Sequence, residues 1–205
     1  MIDRRSFLAT AIVAAIASAP SVASSANPEA AKTFVRNLAN EAIEVMGSKG
    51  TPNPERIAKF RELFKRGFDV EAIGRFVLGR YWRDATEVER QEYLRLFEDL
   101  IVHTYAGRFS EYSGETLTVL DVRPEEDRVL LVTSHVNRIA GPPIRLDWRV
   151  VERDSGFKIV DVVVEAVSMS VTQRSEFASV IQRGGGRVSG LLAALRDKTK
   201  SLQTR

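Results

Sequence analysis

The chain has 205 residues, with 30 Lys and Arg against 27 Asp and Glu, and it contains no cysteine. A formal net charge of +3, spread among many acidic residues, leaves no electrostatic footprint for nucleic acid. The missing thiols exclude disulfides, thiolate–zinc centres and cysteine nucleophiles, so stability must come from packing alone.

Residues 1–26 carry the three parts of a secretory signal. Arg4 and Arg5 form the basic start, Phe7 to Ala19 an uncharged apolar run, and Ser24, Ser25 and Ala26 the small residues for cleavage. The run is shorter than the roughly 20 residues a membrane span takes. Arg4-Arg5-Ser6-Phe7-Leu8 resembles a twin-arginine signal, with an ordinary Sec signal as the alternative. Either route ends outside the cytoplasm, and a bacterial periplasm is the expected compartment. The expected division is a signal over 1–26, one domain over 27–201 and a polar tail over 202–205.

Asn27-Pro28 opens the first helix, with Asn as N-cap and Pro at the first helical position. Ala31, Phe34, Val35, Leu38, Ala42 and Met46 then repeat at helical spacing until Gly47. After a Gly-, Ser-, Thr- and Pro-rich linker, Asn53-Pro54 starts a second helix with Ile57, Phe60 and Phe64 on one face and a stop at Gly67. Asp69 caps a third, whose stripe is Val70, Ile73, Phe76 and Val77, with Phe68 and Ile73 placed for a hydrophobic staple and Gly79 as the end. Thr86 and Glu89 form a capping box for a longer fourth helix. Its stripe runs Tyr93, Leu94, Phe97, Leu100, Ile101, Thr104 and Tyr105 toward Phe109.

After Ser113-Gly114 the period becomes twofold. Thr116 to Val122 and Arg128 to Arg138 read as strands joined by a polar turn, Arg123 to Asp127. Ile144, Leu146, Trp148 and Val150 alternate with Arg145, Asp147 and Arg149, the cleanest half-buried strand. Asp154-Ser155-Gly156 turns into a fourth strand, Phe157 to Met169, with Val160, Val162, Val164 and Ala166 on one face and Ile159, Val163 and Val167 on the other. Ser170 and Gln173 offer a cap for a helix containing Phe177, Val180 and Ile181. Gly184-Gly185-Gly186 breaks it, and Leu191, Leu192 and Leu195 mark a short last helix. This order is the α+β pattern: N-terminal helices packed on a twisted antiparallel sheet of about four strands, followed by C-terminal helices.

No catalytic cluster emerges. His103 and His135 fall singly on a helix and a strand, outside any metal-ligand spacing, and no metal site is expected. The run Gly184 to Arg187 follows a helix and lacks the Lys-Ser/Thr pair of a phosphate loop. Carboxylate pairs such as Glu125-Glu126 lie in polar stretches where solvation is easy. What remains is apolar surface, and periodicity by itself favours a dry core over a pocket without separating the two.

Several stretches carry a resemblance: Phe68-Asp69, V-L-G-R-Y-W-R at 77–83, the Thr86/Arg90 helix, T-Y-A at 104–106, D-W-R at 147–149, G-F-K-I-V-D-V-V-V-E at 156–165, V-S-M-S at 167–170 and Q-R-S-E-F at 173–177. In this order the chain resembles the MlaC/Ttg2D family of periplasmic phospholipid-binding components of a lipid-transport ABC system, also labelled toluene-tolerance auxiliary proteins. The resemblance implies an α+β fold whose sheet and helices enclose an apolar lipid-tail cavity. It implies a noncatalytic carrier of glycerophospholipid between an outer-membrane lipoprotein complex and an inner-membrane MCE-domain protein of an ABC transporter. It implies no cofactor beyond phospholipid as ligand and no nucleic-acid partner. A related branch accompanies hopanoid biosynthesis.

Under this resemblance the lipid-binding candidates on the helices are Phe76, Val77, Trp82, Phe97, Leu100, Ile101 and Tyr105. The facing candidates on the strands are Val132, Trp148, Val162 and Val164. Arg80, Arg83, Arg145 and Arg149 are candidates for contact with a head group, although solvated surface roles are favoured for each. Two other readings stand beside the carrier. One is an exported lipid-processing enzyme using Asp161 or Glu165; the other is an interaction module whose apolar face docks a partner.

Overall fold

The computed structural model describes residues 27–108, 111–126 and 128–204. The expected export signal, Phe109 and Asp127 lie outside the described residues. The elements run α1 (Pro28–Gly47), α2 (Asn53–Gly67), α3 (Val70–Leu78), α4 (Tyr81–Asp84), α5 (Glu87–Ala106), β1 (Thr116–Glu126), β2 (Val129–Asn137), β3 (Ile144–Arg153), β4 (Gly156–Val164), β5 (Val167–Ser168), α6 (Met169–Arg183) and α7 (Val188–Gln203). The expected α+β class is what forms, with a fifth strand added.

Local chemistry explains the helix starts. The Asn27 side chain accepts from the amides of Glu29 and Ala30, Asp69 accepts from Ala72, and Thr86 and Glu89 complete their capping box. Two expected caps differ. The second helix has Pro52 as N-cap and no side-chain cap bond, and α6 is capped by the Ser168 hydroxyl, which accepts from Val171, rather than by Ser170. The expected staple also divides. Phe68 packs on the sheet-side core, its ring 4.8 Å from that of Phe64, while Ile73 packs among the helices.

The five strands form one antiparallel sheet in the order β1-β2-β3-β4-β5. Three departures from the expected strands share one cause, local irregularity that polarity patterns do not reveal. The stretch expected as a turn, Arg123 to Glu126, continues β1. Pro124 is tolerated there because β1 is an edge strand and a register shift lies between Pro124 and Glu126. A bulge between Arg149 and Val150 pairs Arg149 with Asp161 but Val150 with Ile159, which moves Ile159 onto the face of Val162 and Val164. The fourth strand ends at Val164, because Glu165 (φ 46°) and Ala166 (φ 67°) turn the chain into the short β5. The last helix reaches Gln203 and packs Leu202 on its neighbours, where a polar tail is expected.

Two apolar clusters hold the fold. Among the helices, Val77, Leu78, Tyr93, Phe97 and Leu100 meet Phe177, Ile181, Leu191 and Leu195. The Tyr93, Phe97 and Phe177 rings lie within 5.9–6.3 Å of one another, close enough for each pair to add about 0.5–1.5 kcal/mol beyond its area. On the sheet side, Ala31, Val35, Leu38 and Leu63 cover Leu130, Val132, Val150 and Ile159. Polar links join the parts. Arg56 from α2 donates to the carbonyls of Val45 and Met46 at the end of α1, at 3.2 and 2.6 Å. Arg61 reaches Glu98 and Asp99 of α5 at 2.7 and 2.8 Å. Lys158 of β4 donates to the last carbonyls of α2 at Lys65 and Arg66.

Candidate apolar site on the sheet face

Directly paired residues share a face of an antiparallel sheet. Val132, Trp148 and Val162 therefore form one row across β2, β3 and β4, and Ser134, Leu146 and Val164 form the next. Val122, Val119 and Leu117 of β1 extend the same face opposite Val132, Ser134 and Val136. The register thus brings all four strand candidates, Val132, Trp148, Val162 and Val164, onto a single apolar surface.

That surface is unevenly covered. Helices α1 and α2 pack tightly over the end marked by Leu130, Val150 and Ile159. Toward the other end Leu117, Val136, Ile144, Leu146 and Val164 are only half-buried and belong to neither packed cluster. Trp148 stands at the transition, half-buried, with its indole N–H donating to the Ser134 hydroxyl at 2.8 Å. Ser134 is wholly buried, and its hydroxyl donates on to the Leu146 carbonyl at 3.4 Å. A polar pair inside an apolar face is thereby satisfied without a charge.

The helical candidates are placed differently. Val77, Phe97 and Leu100 are buried in the cluster shared with α6 and α7, and Trp82 and Ile101 pack at its margin. Phe76 and Tyr105 are exposed, at 42% and 43%. The side chains that face the strand row are instead those of α1 and α2, notably Phe34, Val35, Leu38, Phe60 and Leu63. The helical stripes containing them are legible in the sequence; their pairing with the sheet is not, because periodicity shows a face without its partner.

The opposite sheet face carries charge. Arg149 binds Glu125 through both carboxylate oxygens, at 2.6 and 2.9 Å, and Asp161 at 2.8 Å. The buried Asp161 also accepts from the Ser168 hydroxyl at 2.6 Å and the Ser170 amide at 3.0 Å, tying β4 to the start of α6. Hydrogen bonds that its guanidinium donates to Glu125 and Asp161, outweighing burial, push Arg149 further up, and the same guanidinium holds Glu125 below the usual carboxylate range. Burial opposes ionisation of Asp147, yet hydrogen bonds from Arg145 and Thr133 leave its carboxyl below its ordinary value. Arg145 and Arg149 are thus engaged within the sheet. Glu165 is exposed and accepts from the Arg145 amide at 2.6 Å. With its oxygens held by three donors, Asp161 clasps β4 and Arg149 to the start of α6.

Among the described residues no group of three His, Asp or Glu side chains is placed to hold a metal ion, and no helix is long and apolar enough to cross a membrane. Burial lowers the His103 pKa, and its ring lies 3.4 Å from the Gln203 amide.

The family model described as MlaC protein matches residues 36–197. The intermembrane phospholipid transport system binding protein MlaC of Haemophilus influenzae is 23% identical over 123 residues, which are 57% of this chain and 56% of that protein. The match thus spans about half the length of that curated relative. A solved phospholipid-binding protein from Ralstonia solanacearum, in complex with a phospholipid, is 27% identical with a TM-score of 0.72. The likeness covers 84% of this chain and 98% of that one.

Proposed function

The chain belongs to the MlaC family, and from that premise we propose that it is a noncatalytic phospholipid carrier whose acyl chains lie against the sheet face beyond Trp148. The observation that carries this reading is the half-covered apolar face, in a fold that follows a phospholipid-bound protein over nearly its whole length. Taking acyl chains from a membrane exposes methylene groups that each cost about 0.8 kcal/mol in water. A carrier must therefore offer an apolar enclosure, and it needs neither nucleophile nor metal. In this reading Val132, Trp148, Val162 and Val164 contact lipid, together with α1 and α2 side chains that slide or tilt to admit it. Phe97 and Leu100 serve the helical core.

The same proposal places residues 1–26 as an export signal and residues 27–201 as the carrier domain, acting in the periplasm. Its partners are an outer-membrane lipoprotein complex and an inner-membrane MCE-domain transporter. The test is native mass spectrometry of freshly purified protein, followed by lipid extraction. Co-purified phospholipid, or uptake from vesicles by stripped protein with the lipid recovered unchanged, is the expected result. Protein that is uniformly lipid-free and takes up none overturns the reading, and recovery of hydrolysed lipid points to the enzyme instead.

A further inference from the structure

A cleft of about 580 Å³ opens between α3, α4 and α6, and its wall combines two aromatic rings with four arginines. Phe76 and Trp82 supply the rings; Arg75, Arg80, Arg83 and Arg174 supply the charge, and among the described residues no carboxylate lines the cleft. This grouping arises from the fold. Arg174 arrives from α6, about a hundred residues beyond the others, and its guanidinium lies 5.0 Å from the Phe76 ring centroid.

Gly79 makes that approach possible. Its φ of 59° suits glycine, and a Cβ there would lie 3.0 Å from the Arg174 Nε. Arg75 lies 5.9 Å from the centroid of the Trp82 ring, and Arg80 donates to the Tyr81 hydroxyl at 2.9 Å. By contrast, Arg61, Arg149 and Arg196 each pair with a carboxylate. Among the described residues no carboxylate forms an ion pair with Arg75, Arg83 or Arg174, and Asp84 is the one carboxylate whose charge reaches Arg80.

Guanidinium groups lying over aromatic rings keep N–H donors available, and their forked donors suit a phosphate. Like charges gathered without counter-charges repel each other, and an anion in the cleft relieves that repulsion. The cleft is open to solvent, and its volume of about 580 Å³ suits a compact anionic group. We propose that this cleft binds a phosphate group and, resting on the carrier reading, that the group is a phospholipid headgroup.

The experiment compares the stripped full chain with its R75Q/R174Q variant and with R36Q, which alters an exposed arginine on α1. Calorimetric titrations use inorganic phosphate, dihexanoylphosphatidylglycerol below its micelle concentration, and dihexanoylglycerol, which lacks the phosphate. Native mass spectrometry records long-chain lipid occupancy in parallel. The expected result is an affinity for the phosphatidylglycerol about tenfold or more weaker in R75Q/R174Q, unchanged in R36Q, with dihexanoylglycerol binding alike in all three.

Equal phosphatidylglycerol and phosphate affinities in wild type and R75Q/R174Q overturn the site. Loss confined to inorganic phosphate overturns the headgroup assignment and makes the cleft a site for free phosphate. If no protein takes up acyl chains in any form, yet R75Q/R174Q still loses phosphate affinity, the carrier reading fails and the phosphate site stands. Both substituted arginines are exposed and unpaired with carboxylates, and coincident thermal unfolding curves will separate lost binding from lost fold.

Discussion

The Trp148 indole N–H donates to the Ser134 hydroxyl at 2.8 Å across two adjacent strands, anchoring the large ring where packed core gives way to half-covered apolar sheet. Ser134→Ala removes the only strand-borne acceptor the indole uses in this arrangement. A fully buried donor without its partner costs about 1–3 kcal/mol; Trp148 is half-buried, so the variant should lose about 1 kcal/mol, the lower end of that range, and unfold at lower denaturant. Lipid occupancy should also fall, because the ring loses its fixed orientation. Trp148→Phe should restore stability in the Ser134→Ala background. Failure of that double variant to recover would show that the pair is not coupled.

Substitution by Glu discriminates the two apolar clusters. Leu100 is buried in the helical core, so Leu100→Glu should prevent folding or cost several kcal/mol. Val164 is half-buried outside both clusters, so Val164→Glu should fold and bind less lipid. Circular dichroism and native mass spectrometry read the two effects. A folded Leu100→Glu protein with depleted lipid would move the enclosure back to α5.

Asp161 gathers Arg149, Ser168 and the Ser170 amide in one carboxylate. Asp161→Asn should destabilise by about 1–3 kcal/mol, the lower end being favoured because Arg149 is partly exposed and keeps Glu125. Amide exchange should quicken first at the start of α6. Uniform acceleration across the protein would argue against a local clasp.

The depressed carboxyls of Glu125 and Asp147 set an acid limit. A carboxyl whose pKa is lower folded than unfolded contributes stability that is complete above the unfolded value, about 4. That contribution is lost as pH falls through the folded value. Thermal stability should therefore be insensitive to these groups above about pH 5 and decline below it. Glu125→Gln should flatten the decline. An unchanged slope would assign acid sensitivity to other carboxylates.

Burial pushes the Tyr93 hydroxyl far above its ordinary pKa, and it donates to the Gly74 carbonyl at 2.9 Å. Tyr93→Phe should cost about 1–2 kcal/mol, since the carbonyl is left without that donor. Ultraviolet titration should show one fewer phenol ionising in the folded protein than after unfolding. Full ionisation at alkaline pH without loss of structure would contradict its burial.

Helix boundaries were the most legible part of the fold, because their signals are local: Asn27, Asp69 and Thr86 each satisfy amides within three residues. Strand ends were less legible. Pro124 and the residues around it read as a turn until their position on a sheet edge is known, and nothing local announces the bulge that carries Ile159 to the other face. For the apolar site, strand alternation already grouped Trp148 with Leu146 and Ile144. The assignment of α5 as the facing wall had no such support, since an amphipathic stripe does not name what it packs against.

Composition, caps and alternation by themselves determined an α+β chain without thiols, and the ordered motifs pointed to its family. Only the tertiary structure decided which apolar face closes on which. It put α5 against α7 and α3, α1 and α2 over the sheet, and Arg174 beside Phe76 and Gly79. The reason is physical: side-chain periodicity is a property of neighbours along the chain, whereas enclosure and charge clustering depend on contacts between residues far apart in it.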